Sequence, residues 1–292
     1  MTNKNNYASF GTAGNPEAFY DEGYKASVDM PSWLAEKGLD AYEYAAGRGV
    51  RIKEETARAI AEQANKMHIK MSLHAPYFIN FAATEKEQMS KNDEYIISSL
   101  HAAHNLGADR VVFHSGGQGK ASRSKAMEQT KRGIAQMLDK TSGLGFANIM
   151  LMPETMGKKG QIGTLEEVVD ICLIDRGRLI PTVDFGHLHA VTGGLYVDKD
   201  DYKRAFDFIG DKLGDNALNN LHVHFSRIEF TKAGEKKHWT FADDYGPPFE
   251  PFMDTVIDYG IAPRIICESA GTQDIDALQM KNYYLNNMQR KK

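Results

Sequence analysis

Residues 91–116 read KNDEYIISSLHAAHNLGADRVVFHSG, and this stretch decides the fold. Its first part, residues 91–107, has the apolar spacing of an amphipathic helix. Its last part, residues 109–116, is a short run rich in β-branched residues, which is typical of a buried parallel strand. A helix that leads directly into a buried strand is the repeating unit of an α/β fold.

The same alternation runs along the whole chain. The 292 residues divided by eight give about 36 per unit, close to the roughly 30 that a strand–helix–strand unit needs. A doubly wound open sheet would alternate similarly, but no Gly-x-Gly-x-x-Gly follows the first strand. We therefore predict a single (β/α)8 TIM barrel over residues 1–292, although the Gly-rich first segment could equally be a loop. The eight predicted strands are residues 8–14, 39–46, 68–76, 109–116, 147–155, 179–187, 220–226 and 264–270.

The composition excludes several classes of protein. With 42% hydrophobic and 25% charged residues, the chain is neither disordered, collagenous nor coiled-coil. No apolar run approaches the roughly 18 to 20 residues of a membrane span, and the segment MTNKNNYASF at 1–10 lacks the apolar core after a basic flank that is typical of a secretion signal. Two cysteines, Cys172 and Cys267, are too few for a disulfide framework or a cysteine zinc site. We therefore expect a cytoplasmic protein in which histidine and carboxylate hold any metal.

Histidines and carboxylates cluster where the predicted strands end. In a barrel, these ends converge on the C-terminal mouth, where active sites of this fold are built. One such histidine alone is more often a hydrogen-bonded core residue, but crowded carboxylates repel one another unless cations neutralise them. Imidazole with carboxylate suits Zn²⁺ and also accepts Mn²⁺. The candidates are His74, His114, Glu154, Asp184, His187, His224 and Glu268.

This number of ligands exceeds what one tetrahedral ion uses. At least two ions are therefore predicted, with a carboxylate bridging them. Paired divalent ions hydrolyse phosphate esters, since one activates water and the other stabilises the leaving oxygen. The sequence therefore favours phosphoryl chemistry.

The motifs HAPYFIN at 74–80, FHSG, PET, VDFGH, HVHFS and CES occur in an order and spacing that resemble the endonuclease IV family of apurinic/apyrimidinic endonucleases. The resemblance covers roughly residues 68–270. It implies a zinc enzyme of base excision repair, which cuts the phosphodiester 5′ to an abasic site in damaged double-stranded DNA. Three zinc ions would line the mouth of the barrel.

The resemblance also implies ligand roles. His74 and His114 would hold the first zinc, and Glu154 would bridge it to the second. Asp184, His224 and Glu268 would complete the second site, and His187 would belong to the third. Glu154 and Glu268 are the candidate catalytic residues, as ligands that also orient the nucleophile.

The chain departs from the family pattern after the seventh strand. The family has an Asp-x-His pair in that loop, where this chain has GEKKHW at 234–239. His238 is the candidate third-zinc ligand, and Glu235 replaces the aspartate only if the loop is rearranged, because the spacing is one residue too long. His222 and His224 share one strand face. We favour His224, nearer the mouth, and expect His222 to fill the barrel.

Candidate DNA contacts come from the same loops. The resemblance places Tyr77 and Phe78 where the family inserts side chains into the duplex, and an abasic site lowers the cost of unstacking. Adjacent aromatics are as often packing residues. Three zinc ions would add six charges to the net charge of −4, giving +2, which favours phosphate contact. The remaining candidates are Asn80, Arg48, Arg51 and Lys120.

Two other functions remain open. In a sugar isomerase or epimerase on the same barrel, Glu154, Asp184, His224 and Glu268 would ring one Mn²⁺ or Mg²⁺, but the other histidines would have no role. In a non-catalytic lesion-binding relative, the barrel would be kept and turnover lost, and the altered GEKKHW loop favours this interpretation. No membrane or protein partner is predicted, and a monomer is expected.

Overall fold

The structure is a computed structural model that describes residues 7–290. Eight parallel strands form the inner wall, and helices lie between them in sequence. The wall strands are β1 (Ser9–Ala13), β2 (Ala41–Ala45), β3 (Lys70–His74), β4 (Arg110–Phe113), β5 (Met150–Pro153), β6 (Thr182–Asp184), β7 (His222–Phe225) and β10 (Arg264–Cys267). β8 (Arg227–Thr231) and β9 (Gly234–Trp239) form a separate antiparallel hairpin.

The helices follow the expected alternation. They are α1 (Glu17–Asp21), α2 (Met30–Glu36), α3 (Glu54–Met67), α4 (Lys86–Asn105), α5 (Arg123–Thr141), α6 (Leu165–Cys172), α7 (Phe185–Val191), α8 (Lys199–Leu213), α9 (Asp215–Asn219), α10 (Phe249–Tyr259) and α11 (Gln273–Arg290), with a 3-10 turn at Ser27–Asp29. In α3 the buried residues Ala57, Ile60 and Ala64 recur every three to four positions, so one apolar face packs inward. Within residues 7–290, no helix has the length and apolar character needed to cross a membrane.

The strand order closes the barrel. Neighbouring strands follow the order β5-β4-β3-β2-β1-β10-β7-β6. Parallel bridges between Leu151 and Leu179 and between Glu154 and Thr182 join the two ends of this order. Each predicted strand interval contains one wall strand, so the (β/α)8 prediction is confirmed.

The Gly-rich first segment is a strand because its glycine lets two backbones approach closely. Gly11 lies opposite Ala41 in the register of β1 and β2. A Cβ atom at Gly11 would lie 1.9 Å from the carbonyl oxygen of Ala41. A side chain at this position would therefore force the strands apart.

The segment GEKKHW was expected to be a loop, and this expectation is wrong. It forms β9, which pairs with β8 directly after β7. The hairpin contacts α7, which follows β6. Since β8 and α7 both begin at the C-terminal ends of wall strands, the hairpin forms part of the mouth.

Candidate metal centre

A cavity of about 410 Å³ opens at the C-terminal mouth of the barrel. Of the predicted ligands, those that line it are His74, His114, Glu154, His187, His238 and Glu268. Asp184 and His224 are fully buried, and their side chains contact this set. The structure therefore brings together all eight predicted ligands. Glu235, Met156 and Gln161 line the cavity as well.

Glu154 lies at the centre of the ligand set. Its Oε2 is 3.0 Å from His74 Nε2 and 3.1 Å from His114 Nε2, whereas its Oε1 is 2.9 Å from His224 Nδ1. Burial alone would raise the pKa of Glu154, but His224, His114 and His74 hold it well below its usual value. The carboxylate is therefore charged, and its two oxygens face separate groups of histidines. This arrangement would suit a carboxylate that bridges two cations.

Asp184 is positioned by the start of α7. Its Oδ1 accepts a hydrogen bond of 2.7 Å from the backbone N–H of His187, and so caps the helix. Its Oδ2 is buried and accepts no hydrogen bond, and it lies 3.3 Å from His187 Nδ1. A buried carboxylate oxygen that accepts no hydrogen bond is costly. A cation would satisfy it, and ligand atoms of Glu154, Asp184, His224 and Glu268 all lie within 4.8 Å of one another.

A third group of ligands faces the same cavity from α7 and β9. Ligand atoms of His187, His238 and Glu268 lie within 4.8 Å of one another. Glu235 Oε2 is 3.5 Å from His187 Nε2, and its Oε1 is 3.7 Å from His238 Nε2. Ser226 Oγ shares a 2.8 Å hydrogen bond with His238 Nδ1 and so orients that ring. These side chains fit a further divalent ion.

A β-bulge brings Glu235 and His238 to one side of the hairpin. Side chains alternate between the faces of a regular strand, so residues three apart point in opposite directions. The register of β8 and β9 shifts by one residue, leaving Lys236 without a counterpart on β8. The extra residue changes the alternation, and both side chains reach the cavity. The rearrangement that Glu235 required is therefore present.

Glu43 is a residue of the site that sequence reasoning missed. It lies on β2, is fully buried, and accepts a 2.8 Å hydrogen bond from Ser72 Oγ. Its Oε1 is 2.8 Å from His224 Nε2, and its Oε2 is 3.0 Å from His222 Nε2. Burial alone would raise the pKa of Glu43, but the two histidines hold it well below its usual value. A carboxylate in the middle of the otherwise apolar run AYEYAA at 41–46 was the available signal.

His222 and His224 are both fully buried, but they differ in the groups that they contact. His222 is fully buried beneath the ligand set, and burial lowers its pKa to about 3, against the opposing effect of Glu43. It is therefore neutral at pH 7. His224 Nδ1 instead contacts Glu154 and lies 3.5 Å from Glu268 Oε1. The structure thus places His224 against the predicted ligands Glu154 and Glu268, and His222 against Glu43.

The carboxylates at the mouth raise the pKa of neighbouring histidines. Burial alone would lower the pKa of His74, but its hydrogen bond to Glu154 and the charge of Glu154 raise it to about 9. The pKa of His187 is also raised to about 9 despite burial, because Asp184 and Glu154 lie beside it. A field that holds protons on buried imidazoles also favours divalent cations.

The two predicted aromatic contacts lie at the rim. Tyr77 and Phe78 are 49% and 45% exposed, and their ring centroids are 4.4 Å apart. Tyr77 lines the cavity at the C-terminal mouth and packs beside Gly47. Its position suits contact with a molecule that enters the mouth.

The polar residues predicted to contact DNA lie further out. Asn80 Oδ1 accepts hydrogen bonds of 3.2 Å from the backbone N–H groups of Ala82 and Gly117, so this oxygen connects two mouth loops. Asn80 and Lys120 border a neighbouring groove of about 600 Å³. Arg48 and Arg51 are exposed between β2 and α3. Asn80, Lys120, Arg48 and Arg51 do not line the cavity at the C-terminal mouth.

Comparison with known proteins gives matches over most of the chain. The family model of the xylose isomerase-like TIM barrel matches residues 31–283. The chain is 32% identical over 274 residues to an uncharacterised protein of Methanocaldococcus jannaschii, covering 94% of this chain and 96% of that one. It is 28% identical over 182 residues to a probable endonuclease 4 of Acholeplasma laidlawii, covering 61% of this chain and 60% of that relative.

Two solved structures share the fold. Endonuclease IV from Thermus thermophilus matches with a TM-score of 0.69 and 17% identity, over 96% of this chain and 99% of that chain. A D-tagatose 3-epimerase-like protein matches with a TM-score of 0.71 and 17% identity, over 97% and 99% of the two chains. At this identity the matches show the barrel alone.

Proposed function

Because this chain belongs to the xylose isomerase-like TIM barrel family, we propose that its mouth is the active site of a metal-dependent apurinic/apyrimidinic endonuclease. It would hydrolyse the phosphodiester 5′ to an abasic site in damaged double-stranded DNA. One observation carries the proposal: the two oxygens of Glu154 face separate histidine groups, which suits two or three Zn²⁺ ions, or Mn²⁺ in their place. We expect a monomer in the cytoplasm, where its two buried thiols remain free.

Different side chains of the mouth would hold the different ions. His74 and His114 approach one oxygen of Glu154, and His224 approaches the other. Asp184 would contribute Oδ2, which accepts no hydrogen bond within the protein. When bound, the ions would lower the pKa of a water molecule and stabilise negative charge on phosphate oxygens.

Glu268 is the carboxylate best placed to contact substrate. Its side chain is 20% exposed, whereas that of Glu154 is 1% exposed. Its Oε1 lies 3.5 Å from His224 Nδ1, and its Oε2 lies 4.0 Å from His238 Nδ1. Glu268 would therefore orient the attacking water by accepting a hydrogen bond, while Glu154 holds the ligand groups together.

Contact with DNA would begin at the rim. The exposed rings of Tyr77 and Phe78 would fill the gap left by an unstacked abasic nucleotide. Phosphates on either side would meet Arg48, Arg51 and Lys120, and Asn80 would hold the loop that carries the rings.

A ketose epimerase is the second candidate, and one observation favours it. Glu154, Asp184, His224 and Glu268 could alone ring a single ion, because their ligand atoms lie within 4.8 Å of one another. This interpretation leaves His74 and His114 in the cavity without a role. Substitution of either histidine should therefore spare an epimerase and impair the endonuclease.

The deciding experiment incubates the metal-loaded protein with a defined abasic duplex, the intact duplex and a panel of ketoses. Incision at the abasic site is expected, with loss in chelator and recovery on adding metal. His114→Ala should reduce incision, whereas His104→Ala, an exposed position on α4, should not. Ketose turnover without incision would establish the epimerase instead. Tight binding of the lesion without product would establish a non-catalytic relative.

A further inference from the structure

The opposite end of the barrel contains a second polar cavity, of about 220 Å³. It lies where wall strands begin, because Lys70 opens β3, Arg110 opens β4 and Arg264 opens β10. Asp109, Asn219 and Asn220 are also part of its lining. None of its residues lines the cavity at the mouth.

Two guanidinium groups share one carboxylate in this cavity, and a lysine lines it beside them. Arg264 donates hydrogen bonds of 2.8 and 3.0 Å to the two oxygens of Asp109, and Arg110 donates hydrogen bonds of 3.1 and 3.4 Å to the same two oxygens. Lys70 contacts the Ser9 hydroxyl at 3.4 Å. Counting Lys70, Arg110 and Arg264 against Asp109 leaves two positive charges in excess among the lining residues, while Asp40 and Glu43 act on Lys70 and Arg264 from outside the lining.

The excess positive charge lies partly on buried side chains. Arg264 and Arg110 are 5% and 8% exposed. Lys70 is more exposed than the two arginines, and partial burial together with Arg264 and Arg110 lowers its pKa. Burial and Arg110 also lower the pKa of Arg264 to about 10, against the effect of Asp109. The cations therefore repel one another, and an anion would relieve this repulsion.

Hydrogen-bond donors remain in excess as well. A guanidinium carries five N–H groups. Arg110 donates to Asp109 and to the carbonyl of Asn220, and Arg264 donates to Asp109 and to the carbonyl of Met71. Arg264 Nε is buried without a partner. Guanidinium groups match the geometry of oxyanions such as phosphate and carboxylate.

We propose that the cavity formed by Lys70, Arg110 and Arg264 at the N-terminal end of the barrel binds a small oxyanion and stabilises the fold there. The shared chemistry is a phosphate or carboxylate group, either as a free ion or as part of a small metabolite. The proposal does not depend on the endonuclease activity, because the two cavities have no lining residue in common.

The test titrates the full-length protein with inorganic phosphate by calorimetry, and follows thermal unfolding in phosphate against chloride at equal ionic strength. Phosphate should bind and raise the Tm, since a ligand of the folded state stabilises it. Lys70 is exposed, so Lys70→Met should leave the protein folded and weaken binding about 10- to 100-fold, as expected for loss of one charge-assisted hydrogen bond. Parallel titrations with glucose 6-phosphate and succinate identify the source by the tightest binding.

Two controls separate this cavity from other sites. Lys66→Met removes an exposed lysine of α3 that does not line the cavity, and should bind phosphate like the wild type. His114→Ala alters the mouth and should retain the binding. The proposal is overturned if none of the three anions binds, if Lys70→Met binds as tightly as the wild type, or if only His114→Ala abolishes binding.

Discussion

Replacing Glu43 by glutamine tests the part of the metal centre that no substrate can reach. Glu43 is fully buried, and its Oε1 lies 2.8 Å from His224 Nε2. A charged carboxylate at this distance favours the tautomer with its proton on Nε2. His224 Nδ1, which lies 2.9 Å from Glu154 Oε1, is then free to bind a cation. Glu43→Gln keeps the shape of the side chain and removes its charge.

The expected loss is a 10- to 100-fold weaker affinity for metal, which is about 1.4 to 2.8 kcal/mol. The amide can still accept the 2.8 Å hydrogen bond from Ser72, so most of the packing should survive. Glu43→Ala removes that acceptor and the ion pair together. Breaking a buried ion pair costs about 3 to 5 kcal/mol, so the alanine variant should lose more stability than the glutamine variant.

The assay is a competition titration of Zn²⁺ between the protein and a chromophoric chelator, with circular dichroism to verify the fold. Glu62→Gln is the matched control, because Glu62 is exposed on α3. The reasoning fails if Glu43→Gln is folded and binds metal within twofold of the wild type. It also fails if the control loses as much affinity as Glu43→Gln.

Four further predictions concern the same mouth. A Cβ at Gly157 would lie 2.7 Å from Glu235 Cβ and 2.9 Å from His187 Cδ2, so Gly157→Ala should remove about one metal equivalent by elemental analysis, and an unchanged count would contradict it. Because the pKa values of His74 and His187 are raised to about 9, affinity for Mn²⁺ should rise from pH 7 to 9 as bound protons cease to compete. Over this range the free energy of unfolding of the metal-free protein should fall. A histidine whose pKa is raised in the folded state stabilises that state fully below pH about 6.5, and this stabilisation is lost as the pH rises to about 9. Flat profiles of affinity and of unfolding free energy against pH would refute both predictions. Tyr77→Ala should reduce the preference for abasic over intact duplex in binding assays while leaving metal content unchanged, whereas a lower metal content would show a structural role.

The wall strands could be predicted because each one is a short apolar run between amphipathic helices. Buried parallel strands need apolar residues on both faces, and this requirement leaves a visible pattern. The hairpin after β7 leaves a weaker one, because a partly exposed pair can carry polar residues such as those of GEKKHW. Its signals were the β-branched and aromatic residues of RIEFT and the turn at Gly234, whose φ of +105° favours glycine.

The ligand candidates could be named because barrel topology forces strand ends together whatever their separation in sequence. His74 and Glu154 are 80 residues apart, yet their side chains form a hydrogen bond. Glu43 escaped this reasoning because it lies within its strand, where a residue is expected to fill the core. Its role depends on contacts with His222 and His224 from a distant strand, and such contacts leave no local pattern.

The spacing of GEKKHW was the one feature that favoured a protein without turnover. In a regular strand, residues two apart share a face, so an Asp-x-His pair needs no distortion. Glu235 and His238 are three apart and would point away from each other, but the extra residue Lys236 forms a bulge that restores the shared face. Both side chains consequently line the mouth with His187. Because the insertion and the bulge compensate each other, the altered spacing keeps both candidate ligands at the mouth and by itself gives no reason to prefer a purely binding protein.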